Sequence, residues 1–284
     1  MMLGYISMNL ATDVPVHELA PALEARGYES IWFGEHSHIP VSRKTPYPAG
    51  GELPDPYLRM MDPFVTLAVA AAHTTRLRLG TGVALPLEHD IFDLAKQVAT
   101  LDLLSGGRVL FGVGTGWNEE ELANIRPTPW KQRYQALAES IGALRALWTE
   151  DEAEFHGKHY DFDPVWSRPK PLQSPHPPIL SGMAGRMGTK HTVEWADEWM
   201  PLDIGLGNVP KKLGLFRAAA EEAGRGDIPI TICAWGDPEL DTLREYRDLG
   251  ATRVVLGTSR QGNADATTTY PFLDRYAELA SELA

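Results

Sequence analysis

The segment Arg108-Val-Leu-Phe-Gly-Val113, followed at once by Gly114-Thr-Gly-Trp117, decides the fold. Val109 to Val113 is an apolar run without alternation, as in a strand buried on both faces, which is the pattern of a parallel sheet covered by helices. The pattern upstream, 91–104, is helical and is stopped by Ser105-Gly106-Gly107. Downstream, 133–149 sets Leu137, Ile141, Leu144 and Leu147 at helical spacing. The local unit is therefore helix, buried strand, glycine loop, helix.

Working outward, the unit recurs along the whole chain. Strands are predicted at 3–8, 30–34, 77–85, 108–113, 178–182, 198–202, 228–234 and 253–257. Helices are predicted at 16–26, 63–73, 91–104, 133–149, 186–196, 210–223, 238–249 and 270–283. Asp62 before Pro63 reads as an N-cap and first-turn proline, and Gly27 as a stop. Eight strand-then-helix units imply an α/β fold of the (β/α)8 TIM barrel type, one domain over residues 1–284. The competing doubly wound sheet expects a GxGxxG after the first strand, and none stands there. Residues 151–178 carry Pro164, Pro169, Pro171, Pro175, Pro177 and Pro178 together with Phe155, Tyr160, Phe162 and Trp166, and read as an irregular insertion packed on the domain.

The chain has 284 residues, 43% hydrophobic and 23% charged, which excludes a disordered protein. Its longest apolar run, 64–72, is far below a bilayer span of about 18 residues, so no membrane association is expected. The start MMLGYISMNL has no basic leader, and Cys233 is the single cysteine, so a cytoplasmic protein is expected. A net charge of −12 argues against a nucleic-acid surface. An anionic ligand would have to be held by loop amides and a few chosen cations.

In a barrel the site lies where strands end. That rule selects Asn9, Glu35, His36, Thr81-Gly82, Gly114-Thr115-Gly116, Ser181-Gly182, Asp203, Trp235 and Thr258-Ser259-Arg260. Glu35-His36-Ser37-His38 is the most reactive cluster, because a histidine gives or takes a proton near neutral pH. His36 and His38 form an HxH pair, but a barrel metal site needs further ligands at other strand ends, so no metal is expected. Gly112-Val-Gly-Thr-Gly116 offers backbone amides to a ligand, or serves a tight turn alone. Ser181-Gly-Met-Ala-Gly-Arg186 joins a strand to a helix, where amides, the helix start and Arg186 could hold a phosphate. Leu79-Gly-Thr-Gly-Val83 marks either a bulge or crowding inside the barrel. Trp117 is the tryptophan placed to meet a flat ligand.

Several segments taken together resemble the luciferase-like monooxygenase superfamily. They are Ser30-Ile-Trp-Phe-Gly-Glu-His36, Arg76-Leu-Arg-Leu-Gly-Thr-Gly-Val83, Ala95-Lys-Gln-Val-Ala-Thr-Leu-Asp102, Leu104-Ser-Gly-Gly-Arg-Val109, Phe111-Gly-Val-Gly-Thr-Gly-Trp-Asn-Glu119, Arg168-Pro-Lys-Pro171 and Ala196-Asp-Glu-Trp-Met200. They look most like its branch of probable oxidoreductases dependent on the deazaflavin coenzyme F420. The resemblance implies a TIM barrel with an insertion, a redox ring at the mouth, a small-molecule substrate and a homodimer. It implies His36 beside the ring; on that basis His36 is expected to act as proton donor or orienter, with Glu35 setting its protonation. It implies a bulge at Gly82-Val83 behind the ring, often a non-prolyl cis peptide. It places Gly114, Thr115, Gly116, Tyr134 and the turn Gly182, Met183, Ala184, Gly185, Arg186 along the cofactor's tail and phosphate. The loop from Ser37 to Asp62 closes over the site, with Arg43, Lys44 and Arg59 toward an anionic tail. FMN with oxygen is the alternative cofactor chemistry, and a non-catalytic flavin-binding protein the rival of another class. The glucose-6-phosphate dehydrogenases of this superfamily carry a glutamate directly after the glycine loop. Trp117 stands there in this chain, which leaves the acid to His36 or Glu35.

Overall fold

The computed structural model describes residues 1–258 and 264–283, so the candidates Ser259 and Arg260 lie outside the described residues. The strands are β1 Met2–Ser7, β2 Ser30–Phe33, β3 Arg78–Thr81, β4 Val109–Val113, β5 Ala153–His156, β6 Asp161–Val165, β7 Ile179–Ser181, β8 Glu198–Trp199, β9 Thr231–Trp235 and β10 Arg253–Gly257. Eight of them pair in parallel in the order β8-β7-β4-β3-β2-β1-β10-β9. Bridges Trp199 to Ile230 and Leu202 to Cys233 join the two ends and close the ring. This is the TIM barrel that the strand-helix alternation predicts.

Two cores hold it. Outside the strands, the helices press Leu67, Leu94, Val98, Leu137, Leu144, Phe216 and Leu273 onto the sheet. Inside the ring lie Ile6, Trp32, Leu110, Leu180, Met200, Cys233 and Val255. Trp32 is fully buried and accounts for two strand glycines. A Cβ on Gly80 would enter its ring, and one on Gly4 would stand 2.8 Å from its Nε1. Crowding inside the barrel therefore explains Gly80, whereas Gly82 has a different role at the mouth.

The foot of the barrel is locked by charge. Arg253, at the start of β10, is 2% exposed. Its guanidinium bonds Glu29 at 2.8 and 3.0 Å and Glu198 and Thr231 at 2.8 Å each. Nearby, Glu24 accepts the backbone N–H groups of Thr75, Arg76 and Leu77 and so ties the entry to β3. Burial would raise that carboxyl, but those N–H donors outweigh it and hold it down at about 2.

Four local readings differ from the sequence expectation. β3 ends at Thr81 rather than running to 85, and the Gly82–Val83 peptide that follows it is cis. Residues 151–178 are not wholly irregular: β5 and β6 form an antiparallel hairpin. Pro164 is tolerated there because each strand of a two-stranded ribbon is an edge. The hairpin sets Phe162 against Phe92 at 5.0 Å and buries Tyr160. A short helix, Glu119–Ile125, follows the glycine loop where none was predicted. Its three leading glutamates favour a helix start, since acidic groups complement the dipole there. The last helix runs Ala266–Leu279, capped by Asp265, which accepts the Thr268 N–H at 3.0 Å. No described helix is long and apolar enough to cross a membrane.

Candidate active site

A cavity of about 550 Å³ opens at the C-terminal ends of the strands. Its wall includes Glu35, His36, Gly82, Val83, Gly114, Thr115, Gly116, Tyr134, Gly182, Met183 and Ala184, so most of the residues singled out from the sequence share one space. Trp117 and Trp235 line it as well. The side chain of Val83 forms a raised shelf between two glycines. A Cβ on Gly114 would stand 2.9 Å from Val83 Cγ2, and one on Gly182 2.6 Å from Val83 Cγ1. Both positions exclude a larger residue because a stiff β-branched side chain fills that space. The floor is thus backbone and one valine, with Met60 and Met200 adding soft apolar surface.

Gly185 and Arg186 are not on this wall. They line a separate groove between the helices Gly185–Trp195 and Val209–Glu222, with Lys190 and Lys212. Asp203 is also elsewhere, accepting from Tyr246 at 3.2 Å. Asn9 adopts φ 59° and donates to the Met61 carbonyl and Thr66 hydroxyl, so it clips the end of the long loop rather than facing a ligand. His38 points to the surface, bonded to Ser37 and Asn124.

His36 is held on both ring nitrogens. Nδ1 lies 2.7 Å from Glu121 Oε2, and the Trp117 indole N–H donates to Nε2 at 3.1 Å. An indole N–H can only donate, so Nε2 is the acceptor and Nδ1 carries the proton. The side chains of His36 and Glu121 are 7% and 1% exposed, so water competes little for this geometry. Glu35 is not the residue that governs His36. It accepts the Leu85 N–H at 2.7 Å and pairs with His89 Nε2 at 2.7 Å. Burial would lower His89, but the hydrogen bond and charge of Glu35 outweigh it and raise the imidazole. The reason lies in the chain path: Glu35 turns back to the segment after β3, while the helix Glu119–Ile125 swings Glu121 to His36.

A third carboxyl completes the group. Glu88 is pushed up to about 9, by burial first and then by the charges of Glu121 and Glu35 and its hydrogen bond to Glu121. It is therefore protonated at neutral pH, since two adjoining carboxylates in a dry site cannot both ionise cheaply.

The long loop packs its aromatics over this end. Tyr57 stands edge-on to His36 at 5.6 Å, and Tyr47 edge-on to Trp117 at 5.9 Å. Glu120 pins the loop by accepting the Lys44 N–H at 2.8 Å and the Thr45 hydroxyl at 2.7 Å. The three loop cations do not line the cavity. Arg43 lies over the Trp117 ring at 5.6 Å, Arg59 pairs with Asp55, and Lys44 contributes its backbone. Among the described lining residues the strong cation is Arg133. It is stacked on Trp130 at 4.0 Å and Tyr134 at 4.6 Å, and its Nε is buried without a partner. Arg133 opens a helix in the sequence pattern, and nothing local marks it as a ligand residue.

A flat, mostly apolar cup with the Arg133 guanidinium at one side fits a planar ring bearing an anionic tail. A model of the luciferase-like monooxygenase family matches residues 14–249. The chain belongs to that family. A protein of Mycobacterium tuberculosis whose activity is uncharacterized is 42% identical over 252 residues, 86% of each chain. The oxygenase component of a flavin-dependent trigonelline monooxygenase from Acinetobacter baylyi is 32% identical over 212 residues, 72% of this chain and 53% of its own. The solved structure of an F420-dependent secondary alcohol dehydrogenase, in complex with an F420–acetone adduct, superposes with a TM-score of 0.79 at 17% identity. That match covers 100% of this chain and 99% of the other, and is a likeness of fold. This luciferase-like protein is thus a member of a family of oxidoreductases and monooxygenases.

Proposed function

We propose that this luciferase-like protein transfers a hydride between coenzyme F420 and a small organic substrate such as an alcohol or carbonyl compound. The observation that carries the reading is the imidazole of His36 on the wall of a glycine-floored cup, with a carboxylate fixing Nδ1 and Nε2 turned toward the cavity residue Trp117. When bound, the cofactor supplies the two-electron chemistry. The chain supplies the rest. Val83 and the glycines at 82, 114 and 182 leave room for a flat ring. Arg133, on the cavity wall, offers a guanidinium to an anionic tail that a protein of net charge −12 otherwise repels. The loop over Trp117 excludes water, which strengthens every polar contact beneath it.

Converting a hydroxyl to a carbonyl moves one proton beside the hydride. His36 Nε2 takes that proton when the substrate hydroxyl replaces the indole there, and gives it back in reverse. Acid-base help of this kind is worth about 10²- to 10⁴-fold. A second reading, an FMN monooxygenase, is favoured by the similarity to the trigonelline enzyme over 72% of the chain. The test is an equilibrium titration of the purified protein with F420 and with FMN, followed by absorbance. Tighter binding of F420, with turnover lost in His36→Ala while F420 affinity stays, is the expected result. FMN binding alone, with oxygen uptake on adding reduced FMN, would replace it by the second reading.

A further inference from the structure

The carboxyl groups behind His36 are more than a hydrogen-bond partner requires. Glu121 binds Nδ1 through Oε2 alone. Its Oε1 is buried and receives no N–H from backbone or side chain, and Glu88 Oε2 is in the same condition. Buried carboxylate oxygens left bare are costly, so such pairs persist when a proton lies between them. The Glu121 carboxyl is close enough to Glu88 to raise it, and a proton shared between the two would satisfy the bare oxygens. The Glu88 carboxyl stands beside the glycine loop: a Cβ on Gly116, which lines the cavity, would stand 3.6 Å from Glu88 Oε1. The row runs from the glycine loop through Glu88, Glu121 and His36 to Trp117.

We propose that Glu88 and Glu121 are positioning residues that form a one-proton store behind His36, Glu121 selecting the imidazole tautomer and taking up the proton, and Glu88 remaining the acid beside it. The proposal rests on His36 being the proton-transfer group of the proposed oxidoreductase. In the resting state His36 is neutral, Glu121 is the carboxylate and Glu88 is the acid, a total charge of −1 over the three groups. A proton that arrives at Nε2 releases the Nδ1 proton to Glu121, and the total becomes zero. The reverse step returns one proton to substrate at Nε2. No oxidant or third partner is needed, and at no stage do two carboxylates face each other ionised. The other charged groups at Glu88 fit this role. Glu35 is occupied by His89 and adds negative charge, which favours the proton on Glu88. Arg126 is turned to the His89 carbonyl at 3.0 Å and to the Tyr160 ring at 4.7 Å, so its cation is not spent on Glu88.

The test reads the unliganded protein first. Nitrogen-15 spectra of the histidines are expected to show His36 protonated at Nδ1 and bare at Nε2, and Glu121→Ala is expected to lose that preference. Carbon-13 spectra of the carboxyls are expected to show one glutamate titrating near pH 9, absent from Glu88→Gln. Because the amide introduced by Glu88→Gln can still donate to Glu121 but cannot ionise, this variant is expected to keep the tautomer and the F420 affinity while the alkaline limb of the pH profile disappears. Rescue of that limb by Glu88→Asp would support the store further. A Glu88 that titrates as an ordinary carboxylate in the wild type overturns the store without any variant. So does a Glu88→Gln enzyme whose pH profile keeps the alkaline limb of the wild type. If His36→Ala also turns over normally, the proposed function falls with it; if His36→Ala is dead, only the store falls.

Discussion

The barrel carries a buried charged cluster at each end, and the two are built on opposite principles. At the foot, Arg253 answers Glu29 and Glu198 with charge-assisted bonds, and Thr231 fills another donor position. At the mouth, Glu35, Glu88 and Glu121 crowd together with two histidines and leave carboxyl oxygens without donors. The foot is matched in charge and holds the strands in register. The mouth has three carboxyls for two histidines: Glu35 pairs with His89 and Glu121 with His36, and the excess is met by a proton on Glu88. A mismatch of this kind is tolerated where protons are handled, which is why perturbed carboxyls point to a working site.

The contrast is broken most severely at the foot. Arg253→Ala leaves two carboxylates at the base of the barrel without their cation and should cost about 3–5 kcal/mol of stability in denaturant unfolding. The cup is remote from this change, so the folded fraction should bind cofactor as the wild type does. A loss of affinity equal to the loss of stability would mean that the two ends are not separate in function.

The next effect distinguishes the ends by the sign of their pH dependence. Glu88, raised to about 9, binds a proton in the folded chain that the unfolded chain releases near its ordinary value. Its contribution is intact at acid pH and is lost as pH rises toward 9. Glu24, held at about 2, contributes above its ordinary value and loses that contribution as pH falls toward 2. Glu88→Gln should therefore gain on the wild type by up to about 2.7 kcal/mol between pH 6 and pH 8, the ceiling for one proton over that interval. Glu24→Gln should flatten the acid side of the stability curve instead. Urea melts of the three proteins across pH 3–9 check both signs, and parallel curves would refute the distinction.

A smaller effect sharpens the account of the cup. Gly182→Ala places a methyl 2.6 Å from Val83 Cγ1 and should cost about 1–3 kcal/mol. Because the displaced residue is the shelf itself, cofactor affinity should fall more than melting temperature suggests. Gly205→Ala, where a Cβ meets nothing within 4 Å, is the control and should change neither.

Much of this was legible in the chain because it is local. The buried run Val109–Val113 and the glycines after it carry their meaning within ten residues, as does Pro63 behind Asp62. His36 and Trp117 follow from their place at strand ends. What the pattern hid depends on distant partners. Glu121 lies 85 residues from His36 and sits in a run of three glutamates that reads as a solvated helix start. Glu35 adjoins His36 in sequence, so neighbourhood suggested a partnership that the backbone turn prevents. Arg133 looks like any first-turn arginine until Trp130 and Tyr134 clamp it against the cavity. Arg43 and Arg59, better placed on paper, are taken up by Trp117 and Asp55.

The most direct measurement is a crystal structure of the protein grown with F420. It should show the deazaflavin ring lying on the Gly82–Val83 shelf against His36, with the tail's phosphate at Arg133. A ring found in the groove beside Arg186, or a cup closed by Trp117 and empty of ligand at saturating F420, would contradict it.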